Sequence, residues 1–106
     1  MLSFASEQEF QRTLLELARL KGWRVHHTRP ALDRRGRWLT PIQGDAGFPD
    51  LVLARGGRVL FVELKREGRR PSPQQQAWLD ALAGCAGVEV YVWTPRDWSA
   101  IVAILG

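Results

Sequence analysis

Cysteine is nearly absent from this chain: Cys85 stands alone among 106 residues. A single cysteine excludes an internal disulfide and any multi-cysteine zinc site. Long apolar runs are missing as well. Nothing approaches the roughly 18 consecutive apolar residues needed to span a bilayer, and residues 1–20 read as amphipathic and acidic rather than as a secretion leader. These absences lead to the expectation of a cytoplasmic protein with no membrane partner. There is no internal repeat, low-complexity tract or break in composition, so a single domain over residues 1–106 is expected. Lysine is scarce too: Lys21 and Lys65 accompany thirteen arginines.

What is present fits a folded, basic domain. Hydrophobic residues make up 45% of the chain, enough for a core, and the 25% charged fraction excludes wholesale disorder. Fifteen basic residues against eleven acidic ones leave a net charge of +4, with an isoelectric point near 10.2. The arginine fork matches phosphate oxygens geometrically, and a basic domain with clustered arginine carries the electrostatic footprint of a nucleic-acid partner.

Periodicity organises the rest. Phe10, Leu14, Leu17 and Ala18 recur at helical spacing and predict a helix over residues 6–21. Ser6 is its N-cap, Glu9 the capping-box partner and Gly22 its end. Residues 23–28 read as a strand. His26 and His27 then point to opposite faces, each in a core or sheet-surface role. Residues 29–48 show no sustained period and read as a long loop, a length that often signals function. Strands over 50–55 and 58–65 flank Gly56-Gly57, a strong hairpin signal. The second of these is apolar on both faces, as suits a central strand. Ser72 and Pro73 open a helix whose apolar face is Ala77, Trp78, Ala81 and Leu82. Cys85 is expected as a small buried residue. Residues 88–93 form another strand, and Thr94 caps a last helix opening at Pro95 and burying Trp98, Ile101, Val102 and Leu105.

The hairpin carries the chemistry. A two-residue loop at Gly56-Gly57 makes Arg55 face Arg58, and each outward step then brings Asp50 opposite Glu63. Directly opposed Cβ atoms lie roughly 4.5–5.5 Å apart, and like charges there destabilise a sheet unless compensated. Lys65, two residues beyond Glu63, shares its face. A divalent cation is one compensation, since hard oxygen ligands from one or two carboxylates suit Mg²⁺. An ordinary Lys65–Glu63 pair, with Asp50 in a turn after Pro49, is the other.

Gly47-Phe48-Pro49-Asp50-Leu51, followed by Glu63-Leu64-Lys65, resembles the PD-(D/E)XK nuclease signature. With the preceding helix and the Ser72-Pro73-Gln74-Gln75 stretch, nearly the whole chain resembles a stand-alone VRR-NUC (virus-type replication-repair nuclease) domain of phages and bacteria. The resemblance implies an α/β fold with a restriction-endonuclease-like αβββαβ core, a mixed central sheet flanked by helices, and a C-terminal helix. It implies a DNA nuclease dependent on Mg²⁺ or Mn²⁺. Asp50 and Glu63 match its metal-binding acids, the backbone carbonyl of Leu64 a further ligand, and Lys65 the catalytic lysine. Gln75 matches the glutamine of the helix after the motif; it also reads as an exposed helix former.

Many related families use an acid on the first helix, and Glu7 is the candidate here. It shares a stripe with Gln11, Leu14 and Ala18, and also fits as an acid favoured by the helix dipole. Arg29, Arg34, Arg35 and Arg37 with Trp38 suit a DNA arm, or a solvated loop with Trp38 folded back onto the core. Arg66, Arg69 and Arg70 follow the motif closely enough to contact phosphates. The expected activity is endonucleolytic cleavage of junctions, flaps or branched DNA in replication, recombination or repair. A junction resolvase needs two active sites and hence a homodimer. The competing expectation is a non-catalytic DNA-binding module of a phage replication or packaging assembly.

Overall fold

The computed structural model describes residues 4–28, 31–32, 34–39 and 42–106. In chain order these form α1 (Glu7–Leu20), β1 (Arg24–His27), β2 (Ala31–Leu32), β3 (Trp38–Leu39), β4 (Leu51–Arg55), β5 (Arg58–Leu64), α2 (Pro73–Ala83), β6 (Val88–Trp93), a 3-10 turn (Pro95–Asp97) and α3 (Trp98–Leu105). Four strands make a mixed sheet in the order β1-β4-β5-β6, and β2 and β3 pair separately. This is the α/β architecture expected, with one addition: the stretch read as loop contains the short β2–β3 hairpin, two residues on each side. Strands this short leave too little alternation for a sequence pattern to register.

The hairpin between β4 and β5 is built as its glycines require. Gly56 and Gly57 hold φ of 56° and 83°, the two positive values that a type I′ turn demands. Arg55 pairs with Arg58 and Leu51 with Val62, so the register inferred from the turn holds along the ladder. β5 is central, antiparallel to β4 and parallel to β6.

Side-chain alternation then makes two unequal faces. Leu51, Leu53, Leu60, Val62, Leu64 and Trp93 share the face covered by α1 and α3, where Phe10, Leu14, Ala18, Ile101 and Leu105 complete the core. α2 packs near β6 on the other face. There Phe48 meets Phe61 and Trp78 edge-on, at centroid distances of 5.9 and 5.0 Å.

The sequence pattern misplaced some apolar positions. On α2 the buried residue is Leu79, while Ala77 and Ala81 are exposed. That helix covers only one margin of the sheet, so most of its surface meets solvent. Cys85 is exposed rather than buried, because it follows α2 in an open turn, its Sγ directed at the Ala81 carbonyl. Val102 is also exposed. Residues 95–97 form a 3-10 turn, tied by Asp97 Oδ2 accepting from the Thr94 backbone and hydroxyl, and the α-helix starts at Trp98.

Arginine secures the end of the sheet nearest the hairpin turn. Arg55 Nη1 donates to the carbonyls of Lys21 and Leu105, both at 2.9 Å, and its guanidinium lies 4.4 Å from the Trp23 ring centroid. Trp23 Nε1 donates to the same Leu105 carbonyl. Arg58 donates twice to Glu89, at 2.7 Å each, and reaches the Ile104 carbonyl. Cationic groups at a helix C-terminus complement its dipole, so these arginines hold α3 onto the sheet.

Glu89 is held down at about 2, first by its hydrogen bonds from Arg58 and Tyr91, against an ordinary value of 4.5. A depressed carboxylate contributes stability that is whole above its unfolded value and fades as pH falls through the folded one. We therefore expect the urea midpoint of the wild type to decline between about pH 4.5 and 2 more steeply than that of Glu89→Gln. Parallel slopes would show that the pair adds nothing to acid stability.

Candidate active site

The end of the sheet away from the Gly56-Gly57 turn is built differently. Extending the β4–β5 register by one residue sets Asp50 opposite Glu63. Asp50 Oδ2 accepts from the Leu64 backbone N–H at 2.9 Å, which fixes this carboxylate across the strand end. Glu63 is 1% exposed, and its Oε1 has no hydrogen-bond partner. Its Oε2 accepts from Lys65 Nζ at 3.2 Å. Burial and the neighbouring Asp50 push Glu63 well above the ordinary carboxylate range, against the opposing pull of Lys65. A buried, incompletely satisfied carboxylate is costly.

These groups line an open cleft of about 490 Å³ between α1 and the start of α2, together with Glu7, Gln11, His27, Trp38 and Gln75. Glu7 and Gln11 reach it because residues four apart share a helical face. Glu7 pairs with Arg66 at 3.6 Å. Glu9, the other acid of the first turn, does not close the expected capping box: Ser6 caps α1 by accepting from the Glu9 N–H, but the Glu9 carboxylate accepts from the Ala5 N–H one residue too early, and Glu9 does not line the cleft. Gln75 completes a capping box with Ser72, its Oε1 accepting from the Ser72 N–H at 2.8 Å. Helix former and cleft residue are thus the same side chain.

Gly47 brings this corner together. Its φ is 96°, and a Cβ built there would lie 2.6–2.8 Å from backbone atoms of Gln74 and Gln75. Only glycine lets the segment leading to Asp50 cross the first turn of α2 so closely.

His27 was not singled out for the site from sequence. It lies opposite Leu51, and its ring meets the Gln11 side-chain amide inside the cleft. The pairing of β1 with β4 was the missing information, because it carries the end of β1 to the Asp50 corner. Trp38 is 71% exposed and lines the cleft, so it does not fold back onto the core. Arg34, Arg35 and Arg37 are exposed on the segment leading to it, and Arg66, Arg69 and Arg70 on the loop after β5. Arg29 lies outside the described residues.

The VRR-NUC domain family model matches residues 33–97, a span that contains Asp50, Glu63, Leu64, Lys65 and Gln75. The chain belongs to the VRR-NUC family. Two solved structures are similar. One, described as a VRR_NUC domain, is 22% identical with a TM-score of 0.64 and covers 92% of this chain and 94% of its own. A second, described as a VRR_NUC domain protein, is 27% identical with a TM-score of 0.61 and covers 98% and 93%. No curated protein matches the chain. This VRR-NUC chain therefore carries a nuclease-type DNA-processing domain, and among its described residues no helix is long and apolar enough to cross a membrane.

The donor set of this VRR-NUC cleft fits a hard divalent cation. Among the described residues no three His, Cys, Asp or Glu side chains form a ready cluster. Two carboxylates, one with an unpartnered buried oxygen, suit an ion that keeps several waters. Glu7 stands in the cleft wall outside that pair.

Gly47 supplies a test of how the site is assembled. Gly47→Ala should destabilise the domain by about 1–3 kcal/mol from backbone strain, and more once α2 is pushed aside. Gly68→Ala, at φ 78° with open space around it, meets the strain alone. The difference in urea midpoint between the two variants measures the close approach, and equal midpoints would show that Gln74 yields freely.

Proposed function

We propose that this domain is a DNA nuclease dependent on Mg²⁺ or Mn²⁺, cutting branched or otherwise structured DNA endonucleolytically in phage or bacterial replication, recombination or repair. The observation that carries the reading is Glu63, buried opposite Asp50 with one oxygen unpartnered. A structural ion pair with Lys65 accounts for its other oxygen only.

Asp50, Glu63 and the Leu64 carbonyl would hold the cation. Such an ion, when bound, polarises a phosphate and makes water a nucleophile near neutral pH. Lys65 sits where it can orient the attacking water and stabilise charge building on the phosphate. Gln75, its amide oxygen engaged with Ser72, offers the amide nitrogen as a donor to the substrate backbone. Glu7 orients polar groups from the α1 side of the cleft.

Arg34, Arg35, Arg37, Arg66, Arg69 and Arg70 neutralise phosphates, and Trp38 offers a stacking face beside the site. An open cleft accepts the interior of a strand without a free end, which favours endonucleolytic cutting. Resolution of a symmetric junction would use two such sites in a homodimer, working in the cytoplasm of a bacterial cell or phage-infected host.

The test is cleavage of labelled single-strand, duplex, flap and four-way-junction DNA with Mg²⁺, Mn²⁺ or EDTA. Cutting should require the metal. Asp50→Asn should abolish it while largely preserving binding, and Lys65→Ala should slow it by about 10²–10³-fold, the scale of losing one charge-stabilising group. Cutting that survives EDTA or Asp50→Asn would overturn the assignment. Tight, salt-sensitive binding without any cutting would instead identify a DNA-binding module.

A further inference from the structure

We propose that the outer face of α1 and the adjoining part of β1 form a track for the sugar–phosphate backbone of the DNA flanking the cleft, with Arg12, Arg19 and Arg24 as its phosphate contacts. The proposal rests on the nuclease reading and extends it to one side of the site.

The adjacency of three surface depressions carries the argument. A groove of about 510 Å³ containing Arg12, Leu15, Glu16 and Arg19 shares Gln11 and His27 with the candidate active-site cleft. A second depression of about 500 Å³ shares Arg19 with that groove and ends at Arg24 and Val25. The cleft and the first groove therefore adjoin across the Gln11–His27 contact, on the side of α1.

The arginines along these depressions have no side-chain partner among the described residues, although Arg19 stands in the last turn of α1. Arg12, Arg19 and Arg24 are exposed, and among the described residues none makes a side-chain hydrogen bond or ion pair. Arg55 and Arg58, by contrast, are engaged with carbonyls, a carboxylate and an aromatic ring.

Spacing suits a regular polyanion. Arg12 and Arg19 are seven residues apart, so they sit two turns along one face of α1, about 10 Å apart along its axis. That distance spans roughly three steps of one DNA strand, which carries a charge every 3.4 Å. Half-buried Leu15 gives the groove an apolar floor between them, suited to the sugar faces. Glu16 lines the same groove with the opposite charge, which supplies a control of opposite sign.

The experiment measures binding of a fluorescent duplex with a long flank, by anisotropy across a KCl series in EDTA. Wild type is compared with Arg12→Ala/Arg19→Ala, the triple variant adding Arg24→Ala, and Glu16→Gln. Each lost phosphate contact should lower the slope of log affinity against log salt by about 0.9. The double variant should therefore lose about 1.8 and the triple about 2.7. Glu16→Gln should tighten binding. Cleavage of a short-armed flap or junction in Mg²⁺ should survive in all of them, which shows that they fold.

Unchanged slopes in variants that still cut would overturn the track and leave the nuclease reading intact. Wild-type protein that neither binds nor cuts DNA would overturn both. Loss of affinity in Glu16→Gln comparable with that of the arginine variants would also overturn the track, because it would mean that substitution there disturbs α1 rather than its charge.

Discussion

The register of one hairpin decides where the chemistry sits. Two glycines with positive φ close the β4–β5 turn in two residues, and at the sixth pair outward from the turn Asp50 and Glu63 meet on one face. A slip of one residue would turn Glu63 toward the opposite face and separate the pair. That register also sets Leu53 against Leu60 and Leu51 against Val62. The apolar burial that stabilises the sheet and the confrontation of two acids are thus consequences of the same pairing. Burying those leucines and valines, at about 25 cal/mol for each Å² removed from water, can support a local electrostatic cost that an exposed hairpin could not.

The molecule resolves its polar groups unevenly, and the unevenness follows the long axis of the sheet. Near the turn, Arg55, Arg58, Trp23 and Glu89 satisfy one another and the last carbonyls of α3. At the far end Glu63 keeps an unpartnered oxygen, and Lys65 answers only one of the two acids. Well-satisfied networks rigidify a structure, and unsatisfied ones are costly in a low-dielectric interior. Departure from local consistency is expected where function imposes it. The rigid end positions strands whose other end carries the strain.

Most of this was legible in the residues, for reasons that differ by element. Gly56-Gly57 announced the hairpin because few conformations suit two adjacent glycines between apolar runs. α1 was legible because Phe10, Leu14 and Ala18 all face one core. α2 was read less well. It covers only a margin of the sheet, and a single buried residue, Leu79, makes no stripe. The β2–β3 hairpin is too short to leave a period. His27 escaped notice because its place depends on which strand lies beside β1, and pairing between strands separated by a long connection is not written in either strand. Glu7 and Gln75 were ambiguous for a deeper reason. Each satisfies a local rule and lines the cleft at once, Gln75 as cap and cleft wall together, so a local rule alone could not foretell its place.

The arginine count has to be divided before it says anything about partners. Thirteen arginines in 106 residues suggest nucleic acid as an undifferentiated total. Two of them, Arg55 and Arg58, work inside the fold as donors to helix-end carbonyls and to Glu89. Those on the 34–37 segment, on the loop after β5 and along α1 are solvent-facing. Charge that binds a polyanion must be exposed to it, as Arg66 is even while paired with Glu7, whereas the charge of Arg55 and Arg58 is engaged inside the fold, and a net charge of +4 adds the two kinds together. Sorting each guanidinium by what it touches turns a compositional hint into a surface map, whose solvent-facing arginines on α1 flank a groove that adjoins the Asp50–Glu63 cleft across Gln11 and His27.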